Sequence, residues 1–206
     1  QIFDLTGKSA LITGGAVGIG QAIALRLAEA GANVMIGDIN TEGAEQTINQ
    51  IKAQGGNAQA IHANASSPDD AVKMVKATTA AFDHLDILVN NAGVASGSFF
   101  QMTSLQDLKQ IFEINFFSQI LFTQGISRYM SRFKTGSIIN IASTAGLIGG
   151  AGMTSYGSSK AALMFATKTM ATELGGVHIR VNAIAPSITK TDMFYQMEEK
   201  ARNKLI

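Results

Sequence analysis

The chain has no cysteine, no tryptophan and only two prolines among its 206 residues. Without cysteine there is no disulfide and no thiolate metal site, which fits a reducing, cytoplasmic setting. An excess of one charge is also missing: 16 Lys and Arg face 15 Asp and Glu, the formal net charge is +1, and no run of like charges occurs. That balance recommends neither a nucleic-acid partner nor a membrane surface. The uncharged stretch from Thr135 to Ser159 is full of Gly, Ser, Thr and Asn, so it does not read as a membrane span. The opening "QIFDLTGK" has an early acid and no apolar core, unlike a signal peptide. No His, Asp and Glu set has metal-ligand spacing, so no metal is expected.

What is present is 46% hydrophobic residues in short runs that alternate with helical patterns. Strands are predicted at 10–13, 33–38, 58–63, 85–90, 136–143 and 178–185, most of them nearly continuous in apolar residues, as strands covered on both faces must be. Helices are predicted near 19–30, 41–54, 68–82, 104–133 and 155–175. Ser67, Pro68, Asp69 and Asp70 read as an N-cap, a first-turn proline and two carboxylates facing a helix dipole. Strand–helix alternation of this kind predicts one α/β domain over 1–206, a doubly wound parallel sheet with helices on both faces. After the sixth strand, "PSITKTDMFYQMEEKARNKLI" holds no closing strand, and a further C-terminal strand and tail are expected to be missing.

At the first strand–helix joint, "TGGAVGIG" puts Gly14, Gly15, Gly18 and Gly20 where absent side chains let a backbone turn tightly and approach a pyrophosphate. Helix N–H groups and the dipole then favour the anion. Asp38 closes the second strand, about 20 residues on, where a carboxylate can hold a ribose 2′-hydroxyl. The same charge repels a 2′-phosphate, and no Lys or Arg stands at Ala16, Val17, Ile39 or Asn40 to offset it. NAD is therefore expected over NADP. Further on, Tyr156 and Lys160 stand four apart at the start of a helix and share a face. An ammonium beside a phenol favours the phenolate, so the pair can pass a proton to or from a substrate oxygen while hydride moves on a nicotinamide.

With "TGGAVGIG", "NNAG" (90–93), Asn115 in "FEINFFS", Ser143 in "NIAS" and "YGSSK" (156–160), the chain resembles the short-chain dehydrogenase/reductase family over nearly its whole length. The resemblance implies Tyr156 as general acid/base and Ser143 as hydrogen-bond partner of the substrate oxygen. It implies that Lys160 binds the nicotinamide ribose and favours the Tyr156 phenolate, and that Asn115 anchors a water linking Lys160 to solvent. Gly14, Gly18, Ile19 and Gly20 would line the pyrophosphate side, with Asp38 and Ile39 at the adenosine ribose. Asn64 and Ala65 would lie beside the adenine, and Asn91, Ala92 and Gly93 along the cofactor. Pro186, Thr189 and Thr191 would meet the nicotinamide carboxamide, while Asn90 would brace the central strands. The chain departs from the family at Asn64-Ala65, where Asp-Val is usual, so weaker adenine recognition is expected. Ser187 replaces a usual glycine, and Thr189 a usual valine or isoleucine. Family members run to roughly 250 residues as one domain.

The expected reaction is NAD-linked interconversion of a secondary alcohol and a ketone. Loops 94–101 and 144–155 carry no charge, which suits a neutral or apolar substrate. Among family activities, 3-oxoacyl-thioester reduction and hydroxysteroid oxidoreduction both fit. A dinucleotide-binding sensor without turnover is the alternative class, although such proteins typically lose the tyrosine or lysine. The 104–133 helix is apolar on more than one face, so a homodimer or homotetramer is expected through helices 104–133 and 155–175. Arg128, Arg132 and Lys134 either complement the end of that helix or dock an acidic carrier protein. Met193, Phe194, Tyr195 and Met197 form an apolar lid or an interface. His62, His84 and His178 show no carboxylate pairing pattern and read as structural or solvent-facing.

Overall fold

The computed structural model describes residues 3–191, so Met193, Phe194, Tyr195 and Met197 lie outside the described residues. Six strands alternate with helices: β1 (Ser9–Thr13), α1 (Gly18–Glu29), β2 (Asn33–Asp38), α2 (Thr41–Ala53), β3 (Ala58–His62), α3 (Pro68–Phe82) and β4 (Ile87–Asn90). There follow α4 (Leu105–Phe112), a π-helical segment (Glu113–Phe117), α5 (Ser118–Phe133), β5 (Gly136–Ile141), α6 (Thr154–Gly175) and β6 (Ile179–Ile184). The strands form one sheet in the order β3-β2-β1-β4-β5-β6, and every neighbouring pair is parallel. No helix among the described residues is long and apolar enough to cross a membrane.

Successive strand residues point to opposite faces, so each apolar strand feeds two cores. Ile12, Val34, Ile36 and Val89 pack with Ala24 of α1 and Ile48 and Ile51 of α2. Leu11, Met35, Leu88 and Ile138 pack on the other face with Met74 of α3 and Phe122, Ile126 and Met130 of α5. Each such large side chain contributes about 1.5–3 kcal/mol on burial. A second apolar set, including Leu105, Phe117, Leu121 and Phe165, stands exposed on α4, the π segment, α5 and α6.

Helix starts follow local chemistry. Ser67 Oγ accepts from Asp70 N at 3.2 Å, with Pro68 in the first turn, as the sequence predicts. Asn40 caps α2, and Ser104 with Asp107 forms a capping box on α4. The differences from prediction lie at boundaries. β4 starts at Ile87 because Asp86 serves as an anchor at the foot of the sheet: its carboxylate accepts from Ser9 N at 2.9 Å and pairs with Lys8 at 3.2 Å. His84 does meet a carboxylate, its Nε2 lying 3.0 Å from Asp86 Oδ2 and 2.7 Å from Gly7 O, contacts that the sequence reading did not assign. β6 begins after His178, whose φ of 60° is left-handed and cannot continue a strand.

One buried polar chain crosses the sheet. Asn90 Nδ2 donates to Thr123 Oγ1 and to Asn140 Oδ1, both at 2.8 Å, and Asn140 Nδ2 donates to Thr167 Oγ1 at 2.9 Å. Asn90 thus braces β4 against β5 and ties both to α5 and α6. Asn140→Leu should destabilise the chain by about 1–3 kcal/mol in urea denaturation, because it strands buried partners. A change below about 0.5 kcal/mol would show that the chain does not fasten α6.

Candidate active site

The site lies where the six strands β1 to β6 end, the position open α/β sheets offer a ligand. A cleft of about 450 Å³ opens there. Its first wall is the β1–α1 joint. Gly14 has a φ of 67°, and a Cβ on it would sit 2.9 Å from Ala92 Cα, so only glycine fits. Gly14, Gly18 and Ile19 line the cleft. Gly20 does not, contrary to the sequence expectation: a Cβ there would run into the Gly14 carbonyl oxygen, so this glycine seats α1 against the joint.

α1 has no side-chain cap and no acid in its first turn, and the same holds for α6, which opens beside the same cleft. By contrast α2, α3 and α4 have both a cap and a first-turn carboxylate. The free N–H groups and positive dipole end of α1 suit a pyrophosphate, so the residues present fit a dinucleotide.

Asp38 and Ile39 line the next part of the cleft. Asp38 Oδ2 accepts from Ala16 N at 2.9 Å and Oδ1 from Asn40 N at 2.8 Å, which fixes the carboxylate and leaves lone pairs for a hydroxyl. Asn64 and Ala65 follow. Asn64 Oδ1 takes the Ser66 N–H at 2.9 Å, so this amide closes a local turn, a use the sequence reading did not assign to it. Asp70 also does more than face a helix dipole: its Oδ2 accepts from Asn64 N at 2.9 Å. The Lys73 ammonium, and then this N–H, hold the Asp70 carboxyl below the usual carboxylate range.

Asn91, Ala92, Gly93 and Val94 form the floor. Asn91 borders the cleft, but its Nδ2 donates to Thr13 O at 3.2 Å and Gly14 O at 2.7 Å, so the side chain fastens the glycine joint. Ser143, Tyr156 and Lys160 line the cleft with Pro186, Ser187, Thr189 and Thr191; Pro186 O accepts from Thr144 N at 3.0 Å, and Thr191 lies against Gly18 at the glycine joint. Ser143 Oγ accepts from Ala145 N at 3.2 Å. Ser187 keeps a negative φ, so the absence of glycine there strains nothing. Lys160 is 4% exposed and its Nζ donates to Ile141 O at 2.8 Å. Burial pushes the Lys160 ammonium down to about 8.

Asn115 is fully buried and outside the cleft lining, a placement the sequence did not foretell. It sits in the π segment, accepts from Val94 N at 2.9 Å and donates to Val94 O at 2.8 Å. Its Nδ2 also reaches Ser159 Oγ at 3.4 Å, and that hydroxyl donates to Tyr156 O at 2.7 Å. Asn115 therefore couples the floor to the helix bearing Tyr156.

The sheet order, glycine joint and cleft define a Rossmann-type nucleotide-binding fold. The sequence profile of the family described as short chain dehydrogenase matches residues 8–202. A 3-oxoacyl-acyl-carrier-protein reductase from Synechocystis is 37% identical over 190 residues, 92% of this chain and 77% of that protein. A hydroxy(phenyl)methylsuccinyl-CoA dehydrogenase subunit from Thauera aromatica is 39% identical over 202 residues, 98% of this chain and 81% of that protein. The structure of a 7α-hydroxysteroid dehydrogenase with NADH and 7-oxo glycochenodeoxycholic acid matches with a TM-score of 0.93 at 35% identity, covering 98% of this chain and 79% of that one. The chain belongs to the short-chain dehydrogenase/reductase family of NAD(P)-binding oxidoreductases.

The burial of Lys160 has a measurable sign. The folded chain holds its Nζ proton below about pH 8 and the unfolded chain below 10.5. Between these values the unfolded state binds the extra proton, so stability rises with pH. Relative to Lys160→Met, the wild type should gain about 2 kcal/mol from pH 8 to pH 10 in paired denaturant titrations. A difference between the two proteins that stays constant with pH would mean that Nζ is solvated.

Proposed function

We propose that this chain interconverts a secondary alcohol and a ketone with NAD(H), Tyr156 acting as general acid/base. The observation that carries the reading is that Tyr156 and Ser143 border one cleft with Lys160, a lysine buried against a backbone carbonyl. A bound nicotinamide supplies or accepts the hydride. In the oxidative direction Tyr156 Oη takes the hydroxyl proton, and in the reductive direction it returns one to the developing alkoxide. Ser143 Oγ hydrogen-bonds the same oxygen. The Lys160 ammonium, one helical turn from Tyr156, supplies positive charge where that proton leaves.

For the substrate, a neutral and apolar compound fits best. Residues 91–106 and 135–159 contain no charged side chain. Ser98 N donates to Gly152 O at 3.2 Å and ties the two loops together, and Phe99, Phe100, Met102, Leu147 and Ile148 stand exposed on them. These features favour a hydroxysteroid-like or similarly bulky ketone or alcohol. The second reading is 3-oxoacyl-thioester reduction, which the identity to acyl-carrier-protein reductases favours.

Two variants test the proposal. Tyr156→Phe should bind NADH as the wild type does while turnover in a spectrophotometric screen of alcohols and ketones falls at least about 100-fold. Near-wild-type rates would end the mechanism. Asp38→Ala should shift the NADP-to-NAD preference upward by about tenfold or more, as expected when a carboxylate no longer opposes a 2′-phosphate. Unchanged discrimination would mean that Asp38 does not face the ribose.

A further inference from the structure

In the floor of the cleft, Ala92 and Gly93 carry at most a methyl group and Val94 an isopropyl group, so a ligand lying on the Ala92–Gly93 part meets mainly backbone, and the height of that backbone bears on the fit. The segment is anchored from two sides. From β1, Thr13 Oγ1 accepts from Asn91 N and Ala92 N, both at 3.1 Å. From the helix side, Asn115 takes both polar groups of Val94. One turn further on stands Gln119, 3% exposed, whose Nε2 donates to Ala92 O at 3.0 Å. Its other polar atom, Oε1, is buried and has no hydrogen-bond partner among the described residues.

That half-satisfied amide is the informative feature. A buried acceptor without a donor is unfavourable, and a methionine or leucine of similar volume would fill the same space without it. Polar groups that break a local packing rule are expected at sites where they hold something in place. Gln119 does not line the cleft, yet its one hydrogen bond ends on a residue that does.

We propose that Gln119 is a positioning residue for the cofactor, holding the Ala92 peptide at the height at which the Ala92–Val94 floor receives it. The proposal rests on the dinucleotide reading of the cleft. On this view Gln119 contributes to ligand affinity rather than to folding, and the two effects separate experimentally. Loss of one neutral hydrogen bond of this kind corresponds to a three- to tenfold change in an equilibrium constant, to order of magnitude.

The experiment is NADH titration by fluorescence and thermal unfolding of wild type and Gln119→Met. The expected result is a variant with a Tm equal to or above that of the wild type, which binds NADH about three- to tenfold more weakly. Equal NADH affinity in the two proteins would overturn the proposal while leaving the cofactor reading intact. A Tm lowered by more than about 4 °C, or failure to fold, would also overturn it by assigning Gln119 to the core. If the wild type binds neither NADH nor NADPH, the cofactor reading fails and the proposal falls with it.

Discussion

The bond from Lys160 Nζ to Ile141 O is the constraint around which the Tyr156 end of the cleft is assembled. An ammonium on a helix is removed from water and left, among the described residues, with one carbonyl partner at the end of β5. Burial disfavours its charge, so the helix carrying it must be held by other means. Those means are visible. Thr167 receives Asn140 from the sheet, Ser159 links Asn115 to the Tyr156 carbonyl, and a Cβ on Gly146 would lie 2.7 Å from Ala161 N, so the β5–α6 loop closes directly on the helix. Several ordinary contacts thus hold one unfavourable one in place.

The two faces of the sheet divide the labour. The α1 and α2 face is built on Ile, Val and Ala, with Thr47 its one notable buried polar group, spent on Ala16 O. On the other face Asn90, Asn115, Gln119, Thr123, Asn140, Ser159, Lys160 and Thr167 are all buried, and each makes a side-chain hydrogen bond. Apolar packing tolerates small shifts, whereas a buried polar chain accepts only one arrangement. The helices that must be placed closely, α5 and α6, lie on the polar face.

This division also explains what was legible in the sequence. The strands were readable because continuous apolar runs have few other fates, and the helix caps were readable because Ser67 and Pro68 act locally. That Gly14, Asp38, Tyr156 and Lys160 would border one cleft was legible from their motifs, where one residue type answers one local need. The π segment was not: residues 113–117 keep an ordinary helical composition, and one extra residue per turn leaves no periodic trace over so short a span. Gly20 was assigned to the pyrophosphate side of the cleft but sits behind its lining, since a motif gives order along the chain and not which side of the backbone a residue serves. Gln119 escaped notice because its partner, Ala92 O, is a backbone atom and carries no sequence signature.

Charge along the cleft completes the account. Among the described residues that line it, only Asp38 and Lys160 are charged, one at each end. Between them the wall is glycine, small side chains and the open end of α1, so an anionic centre would be met by backbone N–H groups and a helix dipole rather than by a side-chain cation. An anion held this way is recognised by position, because N–H groups cannot follow a ligand as a lysine stem can. A further phosphate at the Asp38 end would find a fixed carboxylate and, among the described residues, no lysine or arginine on the wall. The proposed preference for NAD therefore follows from where this cleft lacks cations as much as from the one carboxylate it has.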